Sequence, residues 1–312
     1  MVSKLIVLIV VVLGLLFASA PAVHAALNQS IIVNHQAVGQ FSQLSDTDLA
    51  KASTLKMLFR HASVGGNIKS GLTQLYNQNS KYNASNWTFQ SRGNPGWQPK
   101  VDDLVTQVEA QLSSYAIFSM KFCYVDPGAD WTYYRTKMEQ LQADYPTKIF
   151  IWWTMPILTN DENQNQTRRN QFNENVRSYA QTHPIILFDI AAIESHDPNG
   201  NVTAHNGMEA MYSSYSSDGG HLSTTGSERV AKAFWYMMVR IAQFQSGNPS
   251  STPVTLMKPG DANNDNRVDG VDYIVWLNHY NQSVSGATNG DFNNSNRVDG
   301  VDYIVWMNNY GK

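Results

Sequence analysis

Three stretches of this chain, YAIFSMKF (115–122), KIFIWWTMPI (148–157) and IILFDI (185–190), are apolar at nearly every position. A strand with one wet face alternates apolar and polar residues. Short unbroken apolar runs suit parallel strands covered by helices on both faces. Between these runs lie YYRTKMEQLQADY (133–145) and QTRRNQFNENVRSYAQ (166–181), both patterned as helices. Upstream, TLKMLFR (54–60) and WTFQSR (87–92) read as strands, NIKSGLTQLYNQ (67–78) and KVDDLVTQVEAQL (100–112) as helices, and a last helix covers 227–244. Strand and helix alternate five times, which predicts an α/β domain of three layers, helix–sheet–helix, around a parallel sheet. Sites in such sheets form at the carboxyl ends of the strands.

The two ends of the chain have a different character. The opening MVSKLIVLIVVVLGLLFASAPAVHA has a positive start at Lys4, an apolar run from Leu5 to Phe17 and a small-residue cleavage site, Val23-His24-Ala25, with the cut after Ala25. It reads as a secretory signal peptide over 1–25, shorter in its apolar part than a membrane span. The expectation is a secreted protein, extracellular or part of a cell-surface complex, with no membrane span once the signal is removed. The single cysteine, Cys123, excludes an internal disulfide, and its neighbours Phe122 and Tyr124 place it in packed core rather than as a nucleophile. The net charge of −3 offers no basic excess for nucleic acid. Acidity is concentrated in residues 260–312, with seven Asp and no Glu against two Arg and one Lys.

That acidic tail repeats itself. GDANNDNRVDGVDYIVWLNHY (260–280) returns thirty residues later as GDFNNSNRVDGVDYIVWMNNY (290–310), a duplicated structural unit. Oxygen side chains occupy loop positions 1, 3, 5, 9 and 12: Asp261, Asn263, Asp265, Asp269 and Asp272, then Asp291, Asn293, Ser295, Asp299 and Asp302. With the carbonyls of Arg267 and Arg297 at position 7, each loop can wrap a hard cation such as calcium. Tyr273, Trp276, Leu277 and Tyr280, and their counterparts Tyr303, Trp306, Met307 and Tyr310, follow helical spacing, so each loop leads into one helix. The segment 260–312 resembles the type I dockerin module, a small all-α domain of two F-hand repeats. The resemblance implies two Ca2+ sites, the second weakened by Ser295, and a cohesin module on a scaffold protein as partner. Gly270, Val271, Gly300 and Val301 fall at the recognition positions, and their identity between copies would permit two orientations. The Ser-, Thr- and Pro-rich stretch 246–259 reads as a tether, leaving 27–245 as the main domain.

Chemistry in that domain centres on two short stretches. RHASVGGN (60–67) follows the first strand, and SDGGHLSTTG (217–226) precedes the last helix. Ser63 at a strand-to-helix turn is placed to cap the helix, worth about 1 kcal/mol, or to act as a nucleophile with its amide at the helix N-terminus. His61 reads as a packed neighbour. Asp218 and His221, three residues apart, can bond to each other within one loop. Taken together, the serine turn and the DGGHLSTTG block (218–226) resemble the SGNH/GDSL hydrolases, whose sheet is flavodoxin-like; a divergent branch shares the serine turn and MKFCYVD (120–126). The resemblance implies a Ser63–His221–Asp218 triad, a serine esterase or deacetylase, and no catalytic cofactor. It also implies an oxyanion hole made by the Ser63 amide with a glycine, Gly93 ahead of Gly96. The family's asparagine is missing after the third strand, so Asn94 stands in for it; Asp126 lines the pocket or holds a loop. A dockerin further implies an ester on a polysaccharide as the substrate. The alternative is a non-catalytic sugar- or surface-binding module, with Trp87, Trp97, Trp131 or Trp153 stacking on sugars.

Overall fold

A computed structural model of the chain describes residues 27–160, 164–246, 259–263, 265, 267–284, 286–293 and 297–311. The expected signal peptide, most of the expected tether and Ser295 lie outside the described residues.

The main domain is built on six parallel strands: β1 (Ile31–Val33), β2 (Met57–His61), β3 (Trp87–Ser91), β4 (Ile117–Met120), β5 (Ile149–Trp153) and β6 (Ile186–Phe188). Their spatial order is β1-β6-β5-β4-β2-β3. Each strand of the central four is buried along its whole length. Alternation persists, but between two cores rather than between core and water. Met57, Phe59, Ile151, Trp153 and Phe188 feed one side, where α1 (Gln36–Gln40), α2 (Asp46–Ser53), α3 (Val64–Gln78) and α8 (Thr224–Gln245) pack. Leu58, Phe118, Phe150, Trp152 and Leu187 feed the other, under α4 (Trp97–Gln111), α5 (Trp131–Asp144) and α6 (Gln164–Thr182). This is the expected three-layer α/β/α architecture, with one strand more than the five read from the sequence. The extra strand, β1, pairs Ile31 with Ile186 at the sheet's edge; three residues are too few to show a period. A short helix α7 (Ile190–Ser195) and a small hairpin, β7 (Ala204–His205) with β8 (Met208–Glu209), complete the domain.

Strand order determines where a site can form. From β2 the chain moves outward to β3, then returns to the opposite side of β2 as β4. The connections therefore leave in opposite directions from β2 and β4, opening a crevice at their carboxyl ends. Ser63 follows β2 and Tyr124 follows β4.

In the C-terminal segment, α9 (Gly270–His279) and α10 (Gly300–Asn309) each begin with a capping box, Asp269 with Asp272 and Asp299 with Asp302. The two repeats hold each other reciprocally. Trp276 Nε1 donates to the Asp299 carbonyl at 2.9 Å, and Trp306 Nε1 to the Asp269 carbonyl at 2.9 Å. Asn281 N–H meets the Val298 carbonyl while Gly311 N–H meets that of Val268. Trp276 is buried, but Leu277 and Tyr280, on the same expected stripe, are exposed. Among the described residues no helix is long and apolar enough to cross a membrane.

Candidate active site

Ser63 sits two residues beyond β2 with φ 52° and ψ −121°. A non-glycine residue held there costs about 1–3 kcal/mol and persists only where its surroundings enforce it. The side chain makes no capping bond to α3, so the cap reading does not hold. Ser63 Oγ lies 2.8 Å from His221 Nε2 instead. Gly65 permits this turn, because a Cβ there would come within 2.4 Å of His61 Cβ.

His221 is held by Asp218 from the same loop. Its Nδ1 lies 2.7 Å from Asp218 Oδ2, while Asp218 Oδ1 accepts the backbone N–H groups of His221 at 2.7 Å and Gly220 at 3.0 Å. A ring nitrogen bonded to a carboxylate carries its proton there, which leaves Nε2 a free lone pair toward Ser63. The loop is pinned at both ends: Ser217 N–H bonds the His221 carbonyl, and Leu222 N–H reaches Asn67 Oδ1 on the serine's own helix. Thr159, beyond β5, donates its N–H to the Gly219 carbonyl at 2.9 Å. The His221 and Asp218 side chains are 37% and 55% exposed, so the pair is open to solvent. The amides of His221 and Gly220, with the His221 ring, pull the Asp218 carboxyl down to about 2.

Beneath the crevice lies a set of buried polar groups, among which Arg92, Lys100 and Lys121 were not singled out in the sequence. His61 is packed as expected: burial first, and then the charge of Lys121, lowers it to about 4, so its ring stays neutral near pH 7. Arg92 donates to the Arg60 carbonyl at 2.7 Å and the Lys121 carbonyl at 3.0 Å, strapping together the ends of β2 and β4. Lys121 is wholly buried, its ammonium on the Phe122 carbonyl, and burial lowers it to about 8. Asp126 holds a loop: its Oδ2 takes the Cys123 N–H at 2.8 Å and pairs with the buried Lys100 ammonium. Cys123 is a buried free thiol.

The residue most clearly missed is Tyr124. Its hydroxyl lies 3.4 Å from His221 Nδ1, and its ring meets the imidazole edge-on, with centroids 5.5 Å apart. Arg169 fixes its backbone through the Tyr124 carbonyl at 2.6 Å. The position was visible as the tip beyond an apolar strand, but nothing in the sequence joins it to a histidine ninety-seven residues away. Gly93 and Asn94 lie exposed on the loop after β3, next to β2 in the sheet, and Asn94 makes no hydrogen bond among the described residues. Of the four tryptophans, Trp87 and Trp153 are buried, and Trp97 and Trp131 pack partly buried on the α4–α6 core.

In the C-terminal loops, Asp261, Asp272, Asp291 and Asp302 are wholly buried. Asp272 takes the N–H groups of Ala262, Asn263 and Asp269, and Asp302 takes those of Phe292, Asn293 and Asp299. Asn263 and Asp265 accept the backbone N–H groups of Asp265 and Arg267 and so shape the loop. Among the described residues no group of three or more His, Cys, Asp or Glu side chains converges as a ready-made metal cage.

No family model matches the chain, and no curated protein matches it either. Solved structures do. One is a Streptococcus pneumonia protein provisionally described as a platelet activating factor, 14% identical, with a TM-score of 0.41 over 64% of this chain and 94% of that one. Another is a Desulfitobacterium hafniense protein provisionally described as a lipolytic protein of the G-D-S-L family, 12% identical, with a TM-score of 0.43 over 58% of this chain and 99% of that one.

Proposed function

We propose that residues 27–245 form a secreted serine hydrolase that cleaves esters, joined to a calcium-binding module that docks on a cohesin. The observation that carries the first half is the continuous line from Ser63 through His221 to Asp218 at the crevice between β2 and β4. His221 Nε2 takes the Ser63 proton as Oγ attacks the ester carbonyl, and Asp218 stabilises the imidazolium that forms. The same proton is then delivered to the departing alkoxide. A water attacks the acyl-enzyme by the reverse sequence and frees Ser63. Ser63 is the N-cap of α3, so its amide lies at the helix N-terminus, where developing negative charge is favoured. We assign the Gly93 amide and the Asn94 side chain as further donors, each worth about 3 kcal/mol in the transition state.

Replacing Ser63 with alanine should lower hydrolysis of p-nitrophenyl acetate by about 10³-fold or more with the thermal midpoint unchanged. Activity retained in that variant rejects the reading. Comparing acetylated xylan with short synthetic esters tests a carbohydrate ester as the substrate, which is suggested only by the company a dockerin keeps.

For the tail, the reading is supported by the duplicated loops and by their all-oxygen donor sets. Burial pushes the Asp302 carboxyl up, and the nearby charge of Asp291 adds to it. Buried like charges of this kind are what a hard cation relieves. Asp261, Asn263, Asp265, Asp269, Asp272 and the Arg267 carbonyl would hold one ion, and the matching residues of the second loop another. Each helix also leaves an apolar stripe in water, Val271, Ile274 and Leu277 on α9 and Val301, Ile304 and Met307 on α10, which suits a protein partner.

A further inference from the structure

We propose that Glu194 is a positioning residue: its buried carboxyl seats the loop after β5, and that loop fixes the Asp218–His221 loop against Ser63. The inference rests on the hydrolase reading above. Glu194 lies on α7 with no exposed surface, and burial pushes its carboxyl up to about 8, although the Ile157 amide and the charge of Lys121 draw it down. Near neutral pH it therefore holds its proton. Its Oε1 has no hydrogen-bond partner, and Oε2 accepts a single bond, from the Ile157 N–H at 2.8 Å. Burying an acid with one oxygen unpaired is costly, and an apolar side chain of similar volume would fill the space at less cost. What the carboxyl supplies that an apolar group cannot is one acceptor for Ile157.

That acceptor stands at the base of a short path to the histidine. Two residues beyond Ile157, the Thr159 N–H donates to the Gly219 carbonyl at 2.9 Å, between Asp218 and His221. The Leu158 carbonyl accepts the Met211 N–H at 2.9 Å, and a Cβ on Gly220 would lie 2.7 Å from Leu158 Cδ2, so this side chain lies directly against the residue before His221. Glu194 holds the other side as well: its backbone carbonyl accepts the Tyr212 N–H at 2.9 Å. Asn173 braces the start of the β5 loop, its Oδ1 accepting the Met155 N–H at 2.6 Å and its Nδ2 donating to the Met155 carbonyl at 3.0 Å. Glu194 takes over two residues later. Ile157 is buried, so without that acceptor its N–H would be unpaired away from water, and the backbone would shift to find a partner. Thr159 and the histidine loop would shift with it.

Glu194→Leu removes the acceptor and keeps the space filled. It should lower kcat for p-nitrophenyl acetate by about 10- to 100-fold, the range for a catalytic group displaced by up to about 1 Å, with KM changed less than about threefold. Fluorophosphonate labelling of Ser63 should slow by a similar factor. Glu194→Gln keeps an uncharged acceptor for Ile157 and should stay within about threefold of wild type in both readouts. A leucine variant within about twofold of wild type overturns the inference. So does a loss confined to KM, or a glutamine variant as slow as the leucine one. If Glu194→Leu does not fold, Glu194→Met, unbranched like glutamate, carries the same comparison. Failure of both to fold beside a normal glutamine variant marks a residue needed for folding alone, and overturns the inference too. In each case inactive Ser63→Ala beside active wild type leaves the hydrolase reading standing. Wild type that neither turns over nor is labelled ends both.

Discussion

Asp218 and Asp302 are treated alike by the backbone and end up opposite. Asp218 accepts two amides and the His221 ring; Asp302 accepts three amides. Yet the Asp218 carboxyl is drawn down to about 2, while that of Asp302 is pushed above its ordinary value. The number of hydrogen bonds does not decide the sign. Asp218 stands half in water beside the His221 ring, so its anion costs little and gains a partner. Asp302 is wholly buried with the Asp291 charge nearby, and desolvation outweighs its three donors. One carboxylate suits an imidazolium that comes and goes; the other suits a resident cation.

The largest effect expected from this contrast is on turnover. Asp218→Asn can keep the two amide bonds through its carbonyl oxygen, but its NH2 then faces His221 Nδ1. The imidazole would answer by moving its proton to Nε2, where it can no longer accept from Ser63. We expect kcat to fall by about 10²- to 10⁴-fold with folding intact. A loss below about threefold in ester hydrolysis breaks the comparison on its Asp218 side. Calcium comes next. If the C-terminal loops hold it, a concentration a hundred times Kd should stabilise them by about 2.7 kcal/mol per site. The readout is a raised unfolding midpoint for 260–312, reversed by EDTA, with ester kcat unchanged. No shift with calcium removes the cation from the Asp302 side.

The two regions also differ in how much could be read in advance, for one physical reason. Every oxygen of a C-terminal loop lies within twelve residues, so local spacing carries the proposed cation site, and the capping boxes follow from Asp at fixed offsets. The proposed catalytic line joins residues 63 and 221, and sequence shows its two halves without the contact between them. The buried runs of β4, β5 and β6 were legible because both faces are covered. Tyr124 was not, since a phenol at a strand tip looks the same whether it faces water or a histidine. The strain at Ser63 was equally hidden, because serine before a helix is usually a cap. In α9 the period misled in another way. Tyr273 and Trp276 turn inward while Leu277 and Tyr280 stay in water, and a helix apolar on two stripes does not say which one faces the core.

The smallest expected effect carries the sharpest sign. A carboxyl whose folded pKa is depressed contributes stability above its unfolded value, lost as pH falls through the folded one. For Asp218 the loss begins below about 3.9, the ordinary aspartate value, and is complete below about 2, so the loop around His221 should hold its order from neutral pH into that window. A carboxyl whose folded pKa is raised behaves in reverse: its contribution is full below the unfolded value and is lost as pH rises through the folded one. Without calcium, α10 should therefore be better protected near pH 4 than near pH 7, and calcium should abolish the difference by stabilising the ionised form. Carbon-13 NMR of the aspartate carboxyls reads both at once. The Asp218 resonance should titrate near pH 2 and that of Asp302 above the ordinary aspartate value, moving down when calcium is added. Two resonances titrating together would show that water reaches Asp302 as freely as Asp218, and the contrast between the two aspartates would collapse.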